Sequence, residues 1–167
     1  LVQVCFGDDI AHLLQLSKQP KEKPKNLIKL LQNKTITKIF HYGRFDLAML
    51  NKNVGPVVGP IYCTKIASKL SRTFGAKHGL KDLCKDLLNI ELDKFNQTSD
   101  WGSKTLSKDQ LAYAAQDVLF LHKLKIKLDE ILLREGKMNL ARECFESLKT
   151  RVKLDLEGFQ ELDIFAH

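Results

Sequence analysis

Tyr113-Ala114-Ala115-Gln116-Asp117 sits inside a run, from about Ser107 to Lys149, whose spacing predicts one long helix. Apolar residues at Leu111, Ala115, Val118, Leu121, Leu124, Leu128 and Leu132 recur near the helical period and predict a buried stripe. Residues four apart share a helix face, so Tyr113 and Asp117 point the same way from adjacent turns. A phenol and a carboxylate are thereby paired at the edge of the stripe. Ser107, with Gln110 three residues on, fits a capping box and marks the helix start.

Upstream, Thr35 to Phe40 reads as a β-branched strand running directly into His41-Tyr42-Gly43-Arg44-Phe45-Asp46-Leu47-Ala48-Met49-Leu50. Gly43 is expected to permit a sharp change of direction, and Phe45, Ala48 and Met49 begin a helical face. Asp46 then lies on the first turn of a helix just past a strand end, where open α/β sheets gather ligands. A carboxylate is also favoured there simply by the helix N-terminus. Leu1 to Phe6 and Ala11 to Leu16, around Gly7-Asp8-Asp9, predict an antiparallel hairpin whose turn aspartates are solvated.

The remaining segments follow from their punctuation. Ser17 to Lys25 is a basic, proline-punctuated connector; Asn26 is placed to cap a short helix carrying Leu27, Leu30 and Leu31. Cys63 to Ser71 and Gly79 to Leu88 read as short helices separated by a loop from Thr73 to His78. Arg72, Lys77, His78 and Lys81 cluster around that loop, where a phosphate could be held; a solvated basic face is the alternative. Asp93 to Lys104 is an irregular crossing whose tryptophan, Trp101, is expected to anchor into the core. Leu156, Phe159, Leu162, Ile164 and Phe165 make residues 154–167 an apolar tail that needs a docking partner, its own body or another subunit. Alternating short strands and helices give an α/β fold with a mixed sheet flanked by helices, read as a single domain over 1–167.

The chain has 167 residues, 44% apolar and 28% charged, with Lys and Arg exceeding Asp and Glu by 27 to 20 for a formal charge of +7. A basic surface of that kind attracts phosphate polyanions. Cys5, Cys63, Cys84 and Cys144 show no Cys-x-x-Cys spacing, which argues against a zinc knuckle or a disulfide framework. With no bilayer-length apolar run and no signal peptide, the expected location is the cytoplasm. The chain opens on Leu1, in what reads as a strand already under way, so the natural protein is expected to extend upstream.

Asp46, Tyr113 and Asp117, set in basic surroundings without a nucleophilic Ser or Cys motif, point together to metal-assisted phosphoryl chemistry. Hard Mg²⁺ or Mn²⁺ takes oxygen ligands and binds through a few carboxylates plus substrate phosphate. Two carboxylates are too few to hold a pair of such ions. An unperturbed tyrosine has a pKa of about 10, so Tyr113 is better suited to orienting a water than to deprotonating it.

His41-x-x-x-Phe45-Asp46 and Tyr113-x-x-x-Asp117, with Cys63-Thr64, Gly79-Leu80-Lys81 and Ser99-Asp100-Trp101, resemble the later motifs and landmarks of the ribonuclease D-like 3′–5′ exonucleases, the tyrosine-containing branch of the DEDD superfamily. The resemblance runs from Leu1 to about Leu133. Thr37-Lys38-Ile39-Phe40-His41, Cys63 to Leu70, His78 to Lys81 and Asp163-Ile164-Phe165-Ala166-His167 are similar to the nanoRNase C branch of that family. The resemblance implies a ribonuclease H-like exonuclease fold, a two-ion Mg²⁺ or Mn²⁺ site with Asp46 and Asp117 as ligands, and Tyr113 as the water-positioning residue. It further implies hydrolysis of dinucleotides to 5′-mononucleotides by a ring-shaped homo-oligomer. The family's first motif, Asp-x-Glu, has no counterpart here and is expected on a strand before Leu1, so the chain as given is expected to bind metal poorly.

A dinucleotide offers few phosphates, so its affinity must come from a closed pocket rather than from counterion release along a groove. Arg72, Lys77, His78 and Lys81 are the candidate phosphate contacts, and His41 and Arg44, beside the Asp46 turn, are further candidates for holding substrate. Two other readings stay open: a broader exonuclease on longer RNA or single-stranded DNA, and a non-catalytic oligomeric RNA-binding subunit.

Overall fold

The computed structural model describes residues 1–17, 23–74, 77–92, 99–103 and 105–166. Its first element is the expected hairpin: β1 (Val2–Cys5) pairs antiparallel with β2 (Ala11–Leu14), from Val2 opposite Leu14 to Cys5 opposite Ala11. Gly7 and Asp9, at φ 87° and 60°, close the turn. A second pair, β3 (Lys38–Phe40) and β4 (Ile61–Cys63), is parallel. Among the described residues both pairing modes are therefore present, in two separate two-stranded pieces instead of one continuous mixed sheet.

Helices α1 (Lys25–Gln32), α2 (Gly43–Asn53), α3 (Thr64–Ser71) and α4 (Leu80–Leu88) alternate with those strands. The predicted single helix after Ser107 is three: α5 (Lys108–Leu119), α6 (Leu121–Arg134) and α7 (Met138–Leu156). The capping box at its start is present, Ser107 Oγ accepting from the Gln110 amide and Gln110 Oε1 from the Ser107 amide. The second break was readable, since Gly136 at φ 65° ends α6 while the Gly136 and Lys137 amides donate to Leu133 and Leu132 carbonyls, a Schellman closure. The first break, at Phe120, has no Gly or Pro to announce it. It follows from packing, because α5 lies on the hairpin while α6 lies on α3 and α4.

The predicted stripe holds through α6, where Leu121, Leu124, Leu128 and Leu132 are buried. In α5 the buried residue is Ala114, and Leu111 is 39% exposed, because the kink at Phe120 rotates the inward face. Ala141, Phe145, Leu148 and Val152 of α7 complete the core against α2, α3 and β4. Other expectations shift similarly. Pro24, not Asn26, precedes α1, its carbonyl accepting from the Ile28 amide. Only Lys38 to Phe40 of the Thr35–Phe40 run is paired, because Asn33 Oδ1 ties Thr35 into a turn. Most of the 17–25 connector and of the 93–104 crossing lies outside the described residues. No helix among the described residues is long and apolar enough to cross a membrane.

The turn into α2 is built differently from expectation. Tyr42, at φ 64° and ψ 42°, takes the left-handed conformation, while Gly43 is already helical. Glycine is needed at 43 for space: a Cβ there would lie 2.9 Å from Phe40 Cβ and 3.5 Å from Leu148 Cδ2. Since Phe40 Cβ is fixed to the backbone of β3, Gly43→Ala is expected to push α2 off its seat and to destabilise the fold by about 1–3 kcal/mol, measured by urea unfolding.

Candidate active site

β3 ends at Phe40, and the Tyr42 turn throws the chain into α2 with Asp46 on its first helical turn. α5, stacked on the hairpin, carries Tyr113 and Asp117 one turn apart. The two helices bring their carboxylates within electrostatic reach. Burial pushes the Asp46 carboxyl up to about 6, the charge of Asp117 adds to that rise, and a hydrogen bond from its own backbone amide opposes it. Asp117 is exposed at the rim, yet crowding by the surrounding chain still raises its carboxyl, with Lys81 pulling the other way.

Tyr113 lies between two partners. The Trp101 ring is 6.0 Å away at 36°, and Lys81 Nζ stands 5.9 Å over the Tyr113 ring. Trp101 is thus half-buried beside the site, not inserted into the core as expected. Lys81, Leu92, Tyr113, Gln116 and Asp117 line an open depression of about 310 Å³ floored by Gly79. Of the loop cations, Lys81 alone among the four expected residues lines this depression.

The other candidate contacts are placed elsewhere. Arg72 donates to Asp86 and to the Lys77 carbonyl (3.2 Å), fixing the loop onto α4, and Lys77 is exposed. His78 Nδ1 is 2.8 Å from Ser68 Oγ, and burial together with Arg72, Lys69 and Lys65 lowers its pKa. Arg44 turns away from the depression, its Nε and Nη2 donating to Asp155 Oδ2 and Oδ1 at 2.6 and 2.8 Å.

His41 is held by its Nδ1, 2.9 Å from Thr64 Oγ1, which also lies 3.2 Å from the Phe40 carbonyl. Burial and then Lys65 drive the ring down to about 4, which keeps it neutral. Thr64 and Lys65 are residues that sequence reasoning did not single out for the site; the signal was their place in the Cys63-to-Leu70 run. Gln116, inside the quoted Tyr113–Asp117 stretch, was likewise passed over.

Two like-charged carboxylates within electrostatic reach, one of them lining the depression, are a donor set that fits a hard divalent cation in kind. They supply only part of its shell. Among the described residues no group of three or more His, Cys, Asp or Glu could hold an ion.

Residues 1–133 match the family model described as a 3′–5′ exonuclease. The chain is 34% identical to the ribonuclease D of Gluconacetobacter diazotrophicus over 139 residues, 83% of this chain and 35% of that protein. It thus spans about a third of the length of such relatives. Among solved structures, Brucella melitensis NrnC superposes with a TM-score of 0.94 at 50% identity, covering 99% of this chain and 80% of that one. The same Brucella protein has been solved bound to pGG and with bound Mg²⁺, with TM-scores of 0.93 and 0.92 against this chain. The facing carboxylates, the tyrosine one turn before the second of them and these matches together place the chain in the 3′–5′ exonuclease family, among its ribonuclease D-like members.

Proposed function

We propose that the protein is a divalent-metal-dependent 3′–5′ exoribonuclease that hydrolyses very short RNA, dinucleotides above all, to 5′-mononucleotides. The observation that carries this reading is that Tyr113 and Asp117 of α5 line one depression while Asp46, from a helix far away in sequence, lies close enough to feel the charge of Asp117. Support for a short substrate comes from the similarity, across nearly the whole chain, to a protein solved with pGG. Asp46 and Asp117 would contribute ligands to a two-ion Mg²⁺ or Mn²⁺ site. When bound, the ions supply Lewis-acid stabilisation of the charge that develops on the phosphodiester.

The chain's own residues do the rest. Tyr113, braced between Trp101 and Lys81, directs a water through its hydroxyl. Lys81 brings a cation to the substrate's phosphate in the same depression. His41, kept neutral, serves as a hydrogen-bond partner for substrate. The domain is single, the location cytoplasmic and the assembly a homo-oligomer. The exposed Phe159, Leu162, Ile164 and Phe165, the last 77% exposed, support that assembly. Replacing Phe159, Leu162 and Phe165 with serine is expected to lower the sedimenting mass.

The deciding experiment compares cleavage of a dinucleotide with that of a long single-stranded RNA by the natural, full-length protein. Preference for the dinucleotide, loss with EDTA and recovery with Mg²⁺ or Mn²⁺ are expected. Equal or better cleavage of the long RNA would select the ribonuclease D-like reading, which the 34% identity supports. Asp117→Asn is expected to lower kcat by roughly two orders of magnitude or more, and Tyr113→Phe by about ten- to a hundred-fold. Binding of RNA that no metal converts to cleavage would select the non-catalytic subunit.

Asp46 also ties stability to pH. Its folded pKa, raised from 3.8 to about 6, means the folded state holds a proton that the unfolded chain has released between those values. Stability therefore falls as pH rises through that window, and the penalty is fully present above about 6. Asp46→Asn should stabilise the metal-free protein at pH 7 by on the order of 1–3 kcal/mol and lose that advantage near pH 4, measured by thermal unfolding. The same variant should abolish cleavage.

A further inference from the structure

The first turn of α2 is poorly secured by its own sequence. Its N-cap residue, Tyr42, is a left-handed non-glycine and makes no side-chain capping bond. A strained turn of this kind persists only where the surrounding structure holds it. Moreover, the turn carries Asp46, which feels the like charge of Asp117. Its restraints must come from outside the helix.

Three are visible. Lys65 Nζ sits 4.2 Å over the Tyr42 ring, and Gly43 is wedged on Phe40 with Leu148 behind it. The third is the strongest. Arg44, two residues before Asp46, grips Asp155 in the last turn of α7 with two bonds of 2.6 and 2.8 Å, and adds a third from Nη2 to the Gln160 carbonyl at 3.0 Å. Asp155 is itself fixed by Arg151 Nε at 3.0 Å, and Arg151 Nη2 donates to the Gln160 carbonyl at 2.6 Å. Two guanidiniums on one carboxylate thus leave positive charge that backbone carbonyls of the tail answer. Bidentate guanidinium–carboxylate pairs fix orientation as well as distance.

We propose that Arg44 and Asp155 are a positioning pair: the end of α7, with the tail seated on it, holds the first turn of α2 so that Asp46 stays aimed at Asp117. Arg44 in this account acts through Asp46 and not on phosphate. The proposal rests on the nuclease reading above.

The test uses the natural, full-length protein, with dinucleotide cleavage and Mn²⁺ affinity by calorimetry as separate readouts. Asp155→Asn and Arg44→Lys are each expected to lower kcat about ten- to a hundred-fold, as a small misplacement does, with KM within about twofold. Mn²⁺ affinity should weaken several-fold. The exchange Arg44→Asp with Asp155→Arg should recover part of both losses. Lys127→Ala, which breaks the exposed pair with Glu130 on α6, should leave both unchanged. Wild-type kcat and Mn²⁺ affinity in Arg44→Lys and Asp155→Asn would overturn the proposal. So would a rise in KM at unchanged kcat, the signature of a phosphate contact. Should Asp155→Asn fail to fold, Arg44→Lys carries the test, because it keeps the charge and the stem and loses only the planar fork. A wild-type protein that binds Mn²⁺ without cleaving would sink the nuclease reading, and Mn²⁺ affinity alone would then judge the pair.

Discussion

Two carboxylates of like charge, Asp46 and Asp117, are brought within electrostatic reach of each other by helices distant in sequence. Lys81 bears on Asp117, whereas Asp46 is half-buried and feels its neighbour's charge. Such an arrangement is unfavourable in the isolated chain. It persists because the helices that present the two groups are seated against other elements, α2 on α7 and α5 on the hairpin. Leu47 anchors α2 under α7, and Ala114 anchors α5 on the hairpin. The hydrophobic core provides the rigidity against which the repulsion is held, and the electrostatic strain is what makes the pair receptive to a divalent cation.

Helix α3 organises the other side of the site. Thr64 and Ser68 lie one turn apart, are completely buried, and each holds a histidine by Nδ1, His41 just past β3 and His78 from the loop before α4. Two short hydroxyl side chains thereby register three segments against one another. Burial first, then Lys65 at His41 and Arg72, Lys69 and Lys65 at His78, lower the pKa of both rings, so they meet a ligand as hydrogen-bonding groups and leave the charge to Lys81.

Basic character is therefore distributed with more discrimination than net charge suggests. Arg72 binds α4, Arg44 and Arg151 gather the tail, Lys38 is buried on the Asn33 and Val58 carbonyls, and Lys137 reaches the Leu70 carbonyl. Many of the long cations act as structural braces for backbone carbonyls. The tail that Arg44 and Arg151 hold by its backbone turns its apolar side chains outward, which leaves a surface fit for another subunit.

Local signals accounted for much of this protein. The Gly7-Asp8-Asp9 turn, the Ser107–Gln110 box and the Leu121-to-Leu132 spacing specify structure through contacts only a few residues apart, so their outcome is legible in the chain alone. The helical step from Tyr113 to Asp117 is of the same kind. Where the reading went astray, the deciding contacts were distant in sequence. Residue 43 must be glycine because Phe40 and Leu148 leave no room for a Cβ, not because its backbone is left-handed; α5 and α6 part at Phe120 because they pack on different layers; Arg44 is drawn to Asp155, 111 residues away. The sequence by itself determined which acids, which tyrosine and which helices this protein has. Only the tertiary structure decided which of its many cations face the acids and which brace the backbone, because a long flexible side chain takes its partner from whatever the folded core brings within reach.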